Sequence, residues 1–190
     1  MLREPERAEI ERLWRRKLDQ DARRLPKAQR HRNLEPTSAE FLCALAVGVS
    51  AKRMIEIGGS TGLSTIALAV AARQTGGRLT SIEIEPERQT ESRDTLRGLG
   101  LEQFVDYVCG DAAEVLPGLG EIDLALIDCE KEDYIRFFDM LRVAPGGLVV
   151  ADNILSHAIS DYVAHVRKRP GAESITLPVG KGLEVTRFVC

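Results

Sequence analysis

The run from Arg53 to Ala69 constrains the fold more than any other part of the chain. It reads as a buried strand that breaks into a glycine turn and continues as a helix. Met54, Ile55 and Ile57 suit a strand covered on both faces, while Gly58, Gly59 and Gly62 let the backbone turn sharply and approach a ligand closely. Beyond the turn, Leu63, Ile66, Ala67 and Val70 recur at helical spacing. The free N–H groups at the start of that helix point back at whatever fills the turn, so a nucleotide-like cofactor is expected there.

The rest of the chain repeats this strand-then-helix rhythm. Strands are expected at 53–57, 78–84, 104–109, 122–128 and 147–151, and helices near 62–73, 86–98, 131–142 and 155–168. Alternation of this kind predicts an α/β fold, a Rossmann-like and mostly parallel sheet with helices on both faces. Pro86, Pro117, Pro145-Gly146-Gly147 and Pro170-Gly171 fall between the expected elements. Segments 173–179 and 183–189 are strand-like and are joined only by Gly180-Lys181-Gly182, so they form an antiparallel C-terminal hairpin at the sheet edge.

Residues 1–35 form a charged helical extension, in which Ile10, Leu13, Trp14, Leu18 and Leu25 supply a thin apolar stripe on a helix ending near Pro26. It reads as a solvated arm or packing helix, or else as a dimer contact or a cover for the site. Thr37 or Ser38 can cap a second helix, where a catalytic domain of residues 36–190 begins. A net charge of -3 argues against nucleic acid as a partner, and no apolar run nears the roughly 20 residues that span a bilayer. The opening residues are too charged for a secretory signal, and Cys43, Cys109, Cys129 and Cys190 form no Cys-x-x-Cys pair. A reducing cytoplasm is the expected location.

Two carboxylates narrow the cofactor. The order Gly58-Gly59-Ser60-Thr61-Gly62 is not a dinucleotide fingerprint, which disfavours a nicotinamide oxidoreductase, and Leu63 stands where a phosphate-binding loop would need lysine. Glu56 beside the turn would attract an ammonium and repel a phosphate. Glu83, at the end of the next strand, can accept both ribose hydroxyls, although a solvated strand-end acid has the same pattern. Together they point to S-adenosylmethionine. Asp111 in Gly110-Asp111-Ala112 either caps a helix or lies against the adenine.

Ligands gather at the carboxyl ends of parallel strands, and two more acidic clusters fall there. Asp128, Asp152 and the Asn153 carbonyl are hard oxygen donors for magnesium, calcium or manganese, while a plain turn or cap accounts for Asp152-Asn153 equally well. Lys131 lies one turn beyond Asp128, either on a solvated face or as a base, since a lysine beside a divalent cation gives up its proton more readily. His157 reads as a surface histidine or a substrate contact, and Cys129 as a packing thiol without a catalytic partner.

These motifs together, Glu-Ile-Gly-Gly-Ser-Thr-Gly-Leu-Ser-Thr (56–65), Ser-Ile-Glu (81–83), Gly-Asp-Ala (110–112), Ile-Asp-Cys-Glu-Lys (127–131) and Ala-Asp-Asn (151–153), resemble the cation-dependent class I O-methyltransferases that include catechol and caffeoyl-coenzyme A O-methyltransferases. The resemblance runs from about Thr37 to the C-terminus and implies a seven-stranded sheet whose last strand is inserted antiparallel. By position it implies that Glu56, Gly58, Gly59, Ser60, Gly62 and Ser64 line the methionine part of the cofactor. It likewise implies Glu83 at the ribose, Asp111 and Ala112 at the adenine, Asp128, Asp152 and Asn153 as metal ligands with Asp128 also facing the cofactor, and Lys131 as general base. The implied reaction moves a methyl group to a metal-chelated hydroxyl of a catechol-like small molecule, in a homodimer. A catalytically silent cofactor-binding module is the alternative. Trp14, Phe41, Tyr134 and Phe138 are the candidates to sandwich an aromatic acceptor, and Gly180-Lys-Gly-Leu-Glu184 has no assigned substrate preference.

Overall fold

The computed structural model describes residues 1–26, 29–156 and 159–189. His157 and Cys190 lie outside the described residues. Seven strands, β1 (Arg53–Ile57), β2 (Arg78–Glu83), β3 (Val105–Cys109), β4 (Ile122–Ile127), β5 (Val143–Ala151), β6 (Ala172–Leu177) and β7 (Leu183–Phe188), form one sheet in the order β3-β2-β1-β4-β5-β7-β6. The first five are parallel neighbours, and β7 runs antiparallel between β5 and β6. The hairpin therefore closes the sheet as expected, with β6 outermost.

Alternation along the strands sorts side chains to two faces. Met54, Leu124, Leu126, Leu148 and Val150 face a core built with α1 (Glu4–Ala22), α2 (Pro36–Gly48), α3 (Leu63–Thr75) and Leu96 of α4 (Pro86–Gly98). Ile55, Ile57, Ala125, Ile127, Val149 and Ala151 face the other core, covered by the single turn α5 (Ala112–Val115), α6 (Tyr134–Met140) and α7 (Ser160–Arg167). Both faces of the central strands are dry, which is why their sequences read as continuous apolar runs.

Three elements differ from the sequence expectation. The first helix stops at Ala22 rather than near Pro26, because Arg24 takes a left-handed φ of 51° and the Leu25 N–H returns to the Gln20 carbonyl. Without a glycine this stop is invisible in the sequence. Pro145-Gly146-Gly147 lies inside β5, where the pairing jumps from Ile122↔Val143 to Leu124↔Leu148. Ala144 to Gly147 bulge out, and a Cβ on Gly147 would come within 2.9 Å of the Ala144 carbonyl oxygen. The last long helix, α7, begins at Ser160 rather than at 155. No helix among the described residues is long and apolar enough to cross a membrane.

The N-terminal helix is part of the fold's interior rather than a solvated arm. Ile10 and Leu13 are buried in the same core as Leu42 and Ala67, whereas Leu18 on its outer side is 47% exposed. Arg73 of α3 donates to Glu6 at 2.6 Å and ties the two helices at their edge. Truncating Leu13 to alanine is expected to lower unfolding stability by about 2–5 kcal/mol in urea titrations, and Leu18→Ala by less than about 0.5 kcal/mol.

Candidate active site

The glycine turn is fixed by backbone bonds to its neighbours. Gly58 and Gly59 N–H groups both reach the Ile82 carbonyl, at 2.9 and 3.4 Å, and Gly110 N–H reaches the Glu83 carbonyl. Gly58, at φ 93°, packs so tightly on the end of β4 that any Cβ would strike the Asp128 carbonyl oxygen. Glu83 is buried, and both its oxygens accept backbone N–H groups, Ser60 at 2.7 Å and Glu85 at 3.0 Å. A cavity of about 460 Å³ opens over these strand ends, lined by Gly58, Ser60, Glu83, Asp111, Ala112 and Asp128 among others. That volume suits a nucleoside-sized ligand.

Glu56, Gly59, Gly62 and Ser64, also expected at the cofactor, are not on the cavity wall. Glu56 is fully enclosed, its Oε2 accepting from the Thr65 and Ser81 hydroxyls at 2.7 Å each, with Oε1 unpaired. Burial raises its pKa, opposed by hydrogen bonds from Ser64, Ser81 and Thr65. Gly59 is held down over it, since a Cβ there would lie 2.9 Å from Oε2. Gly62 precedes α3 and Ser64 is in its first turn. Asp111 caps α5, its Oδ1 accepting from Ala113 N–H at 2.8 Å, and lines the cavity as well.

Asp128, Lys131, Asp152 and Asn153 converge. Asn153 Nδ2 donates to Asp128 Oδ1 at 3.0 Å, and Lys131 Nζ stands 3.5 Å from the same oxygen. Lys131 also donates to the Tyr134 hydroxyl, which donates in turn to the Asp152 carbonyl at 3.2 Å. Tyr134 thus fixes the lysine through its hydroxyl, whereas the sequence suggests its ring as a candidate to sandwich an aromatic acceptor. Asp152 Oδ1 is buried without a partner, and Asn153 holds a left-handed φ of 67°. Burial raises the pKa of Asp128, and burial with the Asp128 charge pushes Asp152 up to about 7.

The donor set fits a hard divalent cation. Among the described residues no three His, Cys, Asp or Glu side chains cluster, so the set is two carboxylates and an amide. An unpaired buried carboxylate oxygen facing a second acid is the arrangement a cation would neutralise. Cys129 lines the large cavity, but burial first and Asp128 second push its thiol up, which opposes a nucleophilic role.

A second cavity of about 280 Å³ adjoins the first and shares Asp128 and Arg32 with it. Lys131 and Asn153 line it from below, and Lys17, Arg30 and Lys181 line it from α1, the following segment and the β6–β7 link. Trp14, Phe41, Tyr134 and Phe138 do not line it. Tyr134 and Phe138 are buried in the second core, and Phe41 packs on the first. The segment at 29–33 was unmarked in the sequence, yet Arg32 N–H donates to Ser60 Oγ at 3.2 Å and Asn33 Nδ2 to Thr61 Oγ1 at 2.9 Å, clamping it to the turn.

Residues 11–185 match a family described as O-methyltransferase. A catechol O-methyltransferase of Mycobacterium tuberculosis is 34% identical over 139 residues, covering 71% of this chain and 61% of that protein. The chain spans roughly half to three fifths of the length of the first curated relatives it matches. Among solved structures, the O-methyltransferase from Bacillus cereus in complex with SAH superposes with a TM-score of 0.79 at 21% identity, covering 95% of this chain and 90% of that one. The SAH-bound Podospora anserina methyltransferase gives 0.83 at 20% identity, covering 100% and 89%.

The raised Asp152 pKa sets a sign. An acid whose folded pKa lies near 7 against 3.8 unfolded favours the folded state when protonated, and that advantage is lost as pH rises from about 4 through 7. Without divalent cation, Asp152→Asn is expected to gain thermal stability relative to the parent across that window, in melts compared pH by pH.

Proposed function

The chain belongs to the O-methyltransferase family, and on that premise we propose that it transfers a methyl group from S-adenosylmethionine to a hydroxyl of a catechol-like vicinal dihydroxy small molecule beside a divalent cation. The observation that carries the reading is the position of Asp128, which lines both cavities at their junction and stands beside Lys131, Asp152 and Asn153. The larger cavity would hold the methyl donor and the smaller one the acceptor.

Glu83 is proposed to face the ribose, with Asp111 and Ala112 at the adenine and Gly58 and Ser60 at the amino-acid tail. Glu56 supports from beneath, holding Thr65 and Ser81 and so the shape of the turn. When bound, the donor supplies a methyl group already activated by a positive sulfur. Asp128, Asp152 and Asn153 would hold magnesium or a similar ion, with the amide turned so that its oxygen faces in; such an ion lowers the pKa of a coordinated hydroxyl. Lys131, steadied by the Tyr134 hydroxyl, takes the acceptor's proton at Nζ. The chain's main contribution to rate is placement, since oxygen, carbon and sulfur must lie in line and the walls must exclude water. A silent cofactor-binding module would have no use for the lysine, tyrosine and paired acids at the junction.

Transfer of labelled methyl from S-adenosylmethionine to catechol and 3,4-dihydroxybenzoate is the direct test. Turnover is expected with magnesium and is lost on chelation. Lys131→Ala is expected to lower kcat by about 10²–10⁴-fold with cofactor binding retained in calorimetry. Cofactor binding with no turnover on any dihydroxy acceptor would sink the reading.

A further inference from the structure

The lining of the smaller cavity is charged in one sense. Lys17, Arg30, Arg32, Lys131 and Lys181 face it, against only Asp21 and Asp128. His31 also lines it, but burial first and the charge of Arg16 second hold its imidazole below its usual pKa, so it adds no charge near pH 7. Most of these cations are already committed. Lys131 belongs to Asp128, Arg32 pairs with Glu130, and Lys17 and Arg30 share the single carboxylate of Asp21, at 2.6 and 3.5 Å. Lys181 has no carboxylate within 4.0 Å among the described residues.

Lys181 is also placed rather than loose. It sits between Gly180 and Gly182, both at positive φ, in the link between β6 and β7. Its carbonyl accepts the Leu155 N–H at 2.9 Å, and the Gly182 carbonyl accepts the Ile154 N–H at 3.0 Å. Ile154 and Leu155 follow Asn153 directly, so the link is bonded to the segment that leaves the junction. A Cβ on Gly182 would strike the Leu155 side chain, so the link packs closely on that segment. The Lys181 ammonium and that of Lys17 both lie near the Trp14 ring, at 6.0 and 4.7 Å from its centroid. Two cations are thus brought together at one wall with one shared acid between Lys17 and Arg30.

No phenylalanine, tyrosine or tryptophan of the described residues lines this cavity. A neutral catechol would leave Lys181 with no contacting anion, only the longer-range attraction of Asp128 and Asp152. We propose that the acceptor carries a carboxylate in addition to its two hydroxyls, and that Lys181, with Lys17 and Arg30, is the specificity-determining group that binds it. The inference rests on the functional reading above and narrows its substrate to dihydroxy acids. Binding by a charge-assisted contact at a partly solvated site gives a selectivity of at least about tenfold, and salt weakens it.

The test compares 3,4-dihydroxybenzoate, its neutral amide 3,4-dihydroxybenzamide and the cationic 2-(3,4-dihydroxyphenyl)ethylamine. The full chain with magnesium is expected to favour the acid over the amide by tenfold or more in kcat/KM, through KM, at 0.05 M NaCl. The preference should fall severalfold at 0.5 M, while the amine is the poorest acceptor. Lys181→Met should bring the acid-to-amide ratio close to one, Lys181→Arg should restore it, and Lys181→Glu should favour the amine. Equal kcat/KM for acid and amide in the parent chain, or a ratio unchanged in Lys181→Glu, would overturn the proposal while leaving methyl transfer standing. Should no acceptor turn over, the functional reading fails by itself, and calorimetry of acid against amide with magnesium and S-adenosylhomocysteine still reads the charge preference. If the Lys181 variants fail to fold, the salt dependence in the parent chain decides.

Discussion

The site exists because three parallel strands end at the same height. Asp128 N–H bonds the Ile57 carbonyl and Asp152 N–H bonds the Ile127 carbonyl, so β1, β4 and β5 release their chains side by side. From that register follow the contact of Gly58 with the Asp128 backbone, the approach of Asn153 to Asp128, and the meeting of both cavities. A slip of one residue in β4 would turn Asp128 to the opposite face and bring Ile127 into its place. The dry cores on both faces forbid that slip, because Leu124 and Leu126 would exchange sides with Ala125 and Ile127. Packing of ordinary aliphatic residues is therefore what positions the acids.

The same burial makes the acids costly. Glu56 and Asp152 are buried and Asp128 is largely so at the cavity junction, and burial pushes each toward its protonated form. Glu56 is compensated inside the fold by hydroxyls of Ser81 and Thr65. Asp128 accepts from one amide and one lysine, the charges of Arg32 and Lys181 act on it from further off, and one Asp152 oxygen has no hydrogen-bond partner. Glu56 is absent from both cavity walls whereas Asp128 lines both, so access rather than hydrogen bonding separates the supporting carboxylate from the pair at the junction, although in the sequence all three look alike.

Periodicity made the central elements legible. Strands buried on both faces give unbroken apolar runs, and each is followed by a turn residue and a helical pattern, so the sheet, its parallel core and the terminal hairpin could be read directly. Elements set by backbone conformation alone could not. The left-handed stop at Arg24 carries no glycine, and the bulge at Ala144 to Gly147 uses residues that normally end a strand. At the site, acids at strand ends were visible because carboxylates at such positions are few. The depth of each one was not, and so Glu56 appeared as a ligand contact although the turn covers it. The segment 29–33 was silent, since its placement depends on Ser60 and Thr61, far away in sequence.

Charge is sorted about Asp128. The larger cavity has Glu83, Glu85, Asp111, Glu130 and Asp133 on its walls against Arg32, Arg88 and Arg136, while the smaller has the basic excess of Lys17, Arg30 and Lys181. Separated charge of this kind costs folding energy, because like charges are gathered at close range in a partly desolvated space. Random surface composition would mix the signs. On the proposed reading the cost is recovered when ligands arrive, a cationic donor entering the acidic side and an anionic acceptor the basic side. Each ligand is then repelled from the other's cavity, so the orientation of the pair across the junction is set before any contact with the reacting atoms.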